Sequence, residues 1–341
     1  MNSLPGEIGG YFGLDLADHG DPYPEALHYQ SARAALRAVF ACNDTRRIWI
    51  PSYICDSVIQ AAHEAGCEIS LYALNDNLRP VDAPEKLQSG ELFLYVNYFG
   101  LMQDAIEELR QYFPATQLVI DNSHAFYAKH TDVLATVYSP RKFAGLPDGG
   151  LLFHSAALKI SPPAEEDHGS FARMKFLLMR AAYSAREGYA AFNEARQSLN
   201  GQPPLSMSRL TRRLMRSIDW QHVRCQRRSN FATMHNIIGP LNHFDWNLAN
   251  EDVPLCYPLM IPEMDMAAVK SALAANGIFV ATYWPDVLPR LRPGSMEAAL
   301  VHETLFLPVD QRLDSAQTAI LTRQILETLH RLTPKWTSCD E

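Results

Sequence analysis

The chain has 341 residues, of which 47 % are hydrophobic and 20 % charged. That is ordinary for a globular protein with a real core, and at ~150 residues per domain it points to about two domains. A formal charge of −8 argues against a nucleic-acid binder, whose surface is usually basic. No window approaches the ~18 apolar residues of a membrane span.

In chain order, residues 31–40 (SARAALRAVF) read as a helix of Ala, Leu and Arg, with Ser31 as its N-cap. A short apolar run at 47–51 stops at Pro51. Residues 57–65 read as a helix ended by Gly66, and 68–72 as a strand. Residues 91–98 (ELFLYVNY) form a buried strand, and 103–113 an amphipathic helix. Further strands are expected at 117–120, 133–138 and 150–154. Strands alternating with helices predict a mostly parallel α/β sheet covered on both faces.

The pattern changes after about Ser155. A helical stretch over 171–196 leads to the turn NGQPP, then to one long helix over 206–236. That helix carries Arg209, Arg212, Arg213, Arg216, Arg224, Arg227 and Arg228, read as a solvated or subunit-facing basic face. The tail reads as a strand (CYPLMI), a helix over 265–276 stopped by Gly277, a strand GIFVATYW, a strand LFLPV and a final helix. The expected division is a large domain over 1–230, including the connecting helix, and a small α+β domain over 231–341.

The six cysteines (Cys42, Cys55, Cys67, Cys225, Cys256 and Cys339) form no C-x-x-C pair, and no Cys/His set has zinc spacing, so no metal is expected. They read as reduced thiols. The amino terminus lacks a basic region followed by an apolar stretch, so it is no signal peptide and the expected location is cytoplasmic.

The chemistry concentrates in 118–150. A hydrophobic strand ends in D-N-S-H (Asp121 to His124). S-P-R-K follows (Ser139 to Lys142), and then P-D-G-G (Pro147 to Gly150). In an open parallel sheet, ligands bind beyond the carboxyl ends of the strands, which is where Asp121 and Lys142 fall. On spacing alone, a carboxylate and a lysine there form either a salt bridge at the sheet edge or the pair that pyridoxal phosphate (PLP) needs. In the second case the lysine makes a Schiff base and the acid keeps the pyridine nitrogen protonated.

These segments resemble the DegT/DnrJ/EryC1/StrS family of sugar aminotransferases, a branch of the fold-type-I PLP enzymes. The likeness runs through S-A-R-A-A-L (31–36), I-P-S-Y (50–53), N-Y-F-G (97–100), D-N-S-H-A (121–125) and Y-S-P-R-K…P-D-G-G (138–150). It ends with G-I-F-V-A-T-Y-W-P (277–285) and L-F-L-P-V (305–309). The resemblance implies a large domain with a seven-stranded, mostly parallel sheet flanked by helices, a small C-terminal domain, and a homodimer. It implies that Lys142 is the aldimine lysine and proton carrier, and that Asp121 is the partner of the pyridine nitrogen. His124 would touch the ring or its phenolic oxygen. Ser139, with the Ser31–Ala32–Arg33 turn, would hold the phosphate. Family members that dehydrate carry histidine in place of the lysine, so Lys142 implies transamination, from a donor such as L-glutamate to a keto-sugar, nucleotide-linked. The wider alternatives are a PLP enzyme for another amino acid or carbonyl compound, or a PLP-fold protein without transaminase activity.

The sequence also departs from the family. Ala32 replaces a glycine. Cys55 stands where an aromatic residue usually stacks on the cofactor, with Tyr53 as the neighbouring candidate. The N-Y-R segment is missing, and Tyr283-Trp284-Pro285 replaces H-Y-P. Tyr283 and Trp284 read either as pocket lining or as apolar packing.

Overall fold

In the computed structural model, which describes residues 10–42, 44–264 and 266–332, one eight-stranded sheet organises the first half of the chain. Its strands are β1 (Leu27–Tyr29), β2 (Arg47–Pro51), β3 (Glu68–Leu74), β4 (Pro80–Val81), β5 (Glu91–Val96), β6 (Leu118–Asn122), β7 (Ala135–Tyr138) and β8 (Gly150–His154). The spatial order is β1-β8-β7-β6-β5-β2-β3-β4. The five strands from β7 to β3 pair in parallel, while β8, β1 and β4 join antiparallel. Two more strands are present than the sequence suggested: β1 and β4 are only three and two residues long, too short to show a period. β5, β6 and β7 are buried along their whole length, as strands covered on both faces must be.

Helices α1 (Ala32–Phe40), α2 (Asp56–Glu64) and α3 (Gln103–Tyr112) make the crossovers. Ser31 caps α1 as expected, its hydroxyl accepting from Ala34 N at 3.1 Å, and Ala34, Ala35, Leu36, Val39 and Phe40 form the buried face. The predicted helix over 171–196 is three short ones: α4 (Ser170–Arg173), α5 (Lys175–Ala182) and α6 (Tyr189–Gln197). It breaks at Tyr183, whose ψ of −99° is not helical, and Ser184 then accepts from Glu187 N. A serine hydroxyl that bonds nearby backbone competes with helix continuation.

The predicted long helix over 206–236 is likewise two, α7 (Arg209–Arg216) and α8 (Trp220–Ile238). Ser208 caps α7 and Asp219 caps α8, each restarting the helix with a side-chain acceptor. The basic face is not uniform. Arg209, Arg212 and Arg213 are exposed, but Arg227 is buried and donates to Leu255 O, Pro254 O and Phe143 O.

The chain continues through β9 (Tyr257–Met260), α9 (Met266–Ala275), α10 (Met296–His302), β10 (Thr304–Leu307) and α11 (Ser315–Leu332). β9 and β10 pair antiparallel, and a second core gathers Phe231, Met234, Leu259, Leu273, Leu305, Ile325 and Leu329 around them. The predicted strand over 277–284 does not form. Ala281 makes a single bridge to Phe306, and the chain then turns at Trp284, which is left-handed (φ 52°, ψ 52°) and precedes Pro285. This segment docks on the sheet. Arg290 donates to Ser52 O and Asp56 Oδ1, and the buried Glu297 carboxylate accepts from Ser52 Oγ and Leu74 N, both at 2.8 Å. The amino terminus read for targeting, Asp265 and Cys339 lie outside the described residues; the other five cysteines are free thiols.

Candidate active site

From β2 the chain steps outward to β3, then returns to place β5 on the other side of β2. The direction of winding therefore reverses between β2 and β5, and a crevice opens at their carboxyl ends. The residues that follow these strands converge there: Tyr53 and Cys55 after β2, Asn97 to Phe99 after β5, Asp121 to His124 at β6, and Ser139 to Lys142 after β7. Register adds the start of α1. Tyr138 faces Leu151, so the next step puts Ser139 opposite Gly150. A Cβ at Gly150 would lie 2.2 Å from the Ser31 carbonyl carbon and 2.3 Å from Ala32 N. Only glycine lets the Ser31–Ala32–Arg33 turn come this close to Ser139.

Lys142 ends a 3-10 turn, Pro140–Lys142, and is half-buried. Its amine lies 5.9 Å from the Trp284 ring centre and makes no ion pair among the described residues. Burial holds it below its ordinary value; Asp121 and Cys55 oppose the shift, and Arg141 and Arg196 reinforce it. Asp121, 5 % exposed, faces the lysine without an ion pair, and its Oδ1 accepts from Ser123 N at 2.8 Å. The sheet-edge salt bridge is therefore not what these two residues form.

His124 is fully buried, and neither ring nitrogen has a partner. Burial, then the charge of Lys142, push its value well below the ordinary one, so the ring is neutral. It stacks on Trp284 with centroids 5.0 Å apart and planes 15° apart. A buried ring with two orphaned nitrogens is costly unless a ligand completes it. Ser139 is 4 % exposed and lies beside the α1 turn. These groups fit PLP: an unpaired amine, a carboxylate held apart from it, an orphaned imidazole and a hydroxyl at a helix start.

Other expected residues lie elsewhere. Arg33 turns to the end of α6, donating to Leu199 O at 3.2 Å and to Asn200 Oδ1. Tyr53 is fully buried against Tyr98 and Trp284, its hydroxyl donating to Tyr283 O. Cys55, at the start of α2, is partly exposed and accepts from Ser57 Oγ. The aromatic ring that approaches Lys142 is Trp284, from the far end of the chain.

Sequence reasoning missed two features. Arg141 sits beside Lys142, partly exposed, with no hydrogen bond or ion pair among the described residues. Its signal was present: no acidic residue follows it until Asp148. The second is the buried clamp on Asp148. Arg173 of α4 donates to Asp148 Oδ2 at 2.8 Å and also to Asp167, while Ser170 and Thr211 donate to Asp148. The clamp ties the lysine loop to α4 and α7.

No family model and no curated protein matches the chain. Solved structures do. PseC of Helicobacter pylori, an aminotransferase in pseudoaminic acid biosynthesis, superposes with a TM-score of 0.60 at 14 % identity, over 90 % of this chain and 87 % of that one. Spr1654 of Streptococcus pneumoniae, described as a sugar aminotransferase and solved in a PLP form, gives 0.61 at 13 %, over 91 % and 88 %. A DegT DnrJ EryC1 StrS aminotransferase from Brucella abortus gives 0.57 at 13 %, over 89 % and 85 %. The chain has the fold of these aminotransferases. In this aminotransferase fold the sheet, the crossovers and the C-terminal α+β region run in the order anticipated, with eight strands in place of seven.

Proposed function

We propose that this protein is a PLP-dependent aminotransferase that moves an amino group from an amino-acid donor, L-glutamate, to a keto-sugar, nucleotide-linked, with Lys142 carrying the cofactor. The observation that carries the reading is Lys142 itself: a half-buried amine at the switch point, unpaired, depressed by burial, and faced by Asp121 across a gap. The cofactor supplies an electron sink for the carbon being deprotonated. The chain supplies the rest. Lys142 Nζ takes and returns the proton, and its burial, which lowers its value, favours the neutral amine that can do so. Asp121 offers a carboxylate for a protonated ring nitrogen. Neutral His124 offers one donor and one acceptor to ring substituents. Ser139 and the Ser31–Ala32–Arg33 turn offer donors to the phosphate.

Kinship of fold with aminotransferases of sugars supports the substrate class. Phe171, Leu178, Tyr183 and Tyr189 are exposed on and between α4, α5 and α6, which supports a homodimer that covers them. Five free thiols fit a cytoplasmic location, and no helix among the described residues is long and apolar enough to cross a membrane. The packing of Trp284 on His124 favours a second reading, a PLP-fold protein that binds ligand without transaminating.

Purified protein loaded with PLP should show a visible absorption band that L-glutamate converts to the pyridoxamine band. A band unmoved by glutamate would leave a PLP protein with another donor or reaction. No band would end the PLP reading.

A further inference from the structure

Around Lys142 the cations outnumber the acids. Arg33, Arg141, Lys142 and Arg196 act on one another electrostatically, while Glu64 acts on Arg33, Asp148 on Arg141 and Asp121 on Lys142. Asp148 is held by Arg173 at 2.8 Å, a cation it shares with Asp167, and makes no ion pair with Arg141. Among the described residues neither Arg141 nor Arg196 makes an ion pair, so positive charge here is left without a direct partner.

Arg141 stands out within this group. Arg33, Arg173, Arg227 and Arg290, all partly or fully buried, each donate to named oxygens. Arg141 donates to none among the described residues, although it is only partly exposed. Burial, then the nearby Arg196, bring its value down to about 10. A guanidinium is stiff, always charged at neutral pH and strongly desolvated here, so leaving it without an acceptor is expensive. The 3-10 turn it shares with Lys142 begins at Ser139, which register places against the start of α1.

We infer that Arg141 is the anion-binding side chain of this site, taking a phosphate group in its guanidinium fork, with Arg33 and Arg196 supplying the surrounding positive field. This rests on Lys142 being the cofactor lysine. The phosphate has two sources, the 5′-phosphate of PLP or the diphosphate of a nucleotide-linked acceptor. A fork–phosphate pair is a charge-assisted, geometrically specific contact.

The test compares wild type with Arg141→Gln and Arg141→Lys. Because Arg141 makes no bond to the protein and its unpaired charge is costly, both unloaded variants should melt at or above the wild-type temperature. The unloaded proteins are titrated with PLP and with pyridoxal, which lacks the phosphate, and the PLP-loaded proteins with inorganic phosphate and UDP. If the cofactor is the source, Arg141→Gln weakens PLP by about tenfold or more, leaves pyridoxal unchanged, and Arg141→Lys recovers part of the loss. If the acceptor is the source, both cofactor titrations stay at the wild-type value, while phosphate or UDP binds the loaded wild type and not loaded Arg141→Gln. Identical binding of all four probes by wild type and Arg141→Gln overturns the inference. Should wild type show no PLP band, the PLP reading fails by itself, and inorganic phosphate on the unloaded proteins still decides the role of Arg141.

Discussion

The orphaned, neutral His124 makes stability depend on pH in a way that can be calculated. In the unfolded chain its ring titrates near ~6.5; in the native state it resists protonation because burial and Lys142 lower its value. Below ~6.5 the unfolded state therefore binds a proton that the native state does not, and native stability falls as pH falls. The contribution is fully present above ~6.5 and is lost on acidification. For a native ring that stays neutral down to pH 5.5, one proton costs about 1.4 kcal/mol between pH 7.5 and 5.5. Urea unfolding of the PLP-free protein at half-unit steps measures this. His124→Phe keeps an aromatic ring against Trp284 and removes the titration. Wild type should lose about 1.4 kcal/mol more than the variant over that range. At pH 7.5 the variant should be as stable as wild type or more so, since two unpaired buried nitrogens have gone. Parallel stability curves for the two proteins would refute the buried neutral ring.

Lys142→Ala should fold and show no visible PLP band; a wild-type band in that variant rules out Lys142 as the cofactor lysine. Arg173→Leu leaves the Asp148 and Asp167 carboxylates buried without their cation and should cost about 3–5 kcal/mol in chemical denaturation. Adding Asp148→Asn should recover part of that loss, and a cost below ~1 kcal/mol would show that the clamp is relaxed or hydrated. Glu297→Gln retains an acceptor for Ser52 Oγ and Leu74 N and should stay near wild type, whereas Glu297→Ala should cost about 1–3 kcal/mol by thermal or urea melts.

Where local chemistry decided the structure, the sequence was readable. Ser31 is the cap its position suggested, and the unbroken apolar run of β5 is a strand buried on both faces. Asp121, His124, Ser139 and Lys142 could be brought together because each lies at or just beyond the carboxyl end of a strand of one parallel sheet. What failed depended on long-range contact or on competing local bonds. The helix breaks at Tyr183 and at Ser217–Asp219 come from side-chain caps inside stretches of good helix formers. The strand expected over 277–284 gives way to a left-handed Trp284 ahead of a proline. The ring nearest Lys142 comes from that loop, some 140 positions away, so its role was not readable near the lysine. Arg141 lay in plain view, but only the fold shows that no acid among the described residues pairs with it.

The antiparallel joining of β8 to β7 has a consequence for engineering. Ser139, Arg141, Lys142 and Asp148 all lie in the connection between two adjacent strands, residues 139–149. The reactive equipment is thus a cassette: it can be exchanged as one piece, between two fixed ends, without re-threading the sheet. Two fittings limit what can be inserted. The downstream end must be glycine, because the backbone of α1 leaves no room for a side chain at 150. The cassette must also carry a carboxylate at 148, or be transplanted together with Arg173, since the buried socket it plugs into presents three donors, from Ser170, Arg173 and Thr211.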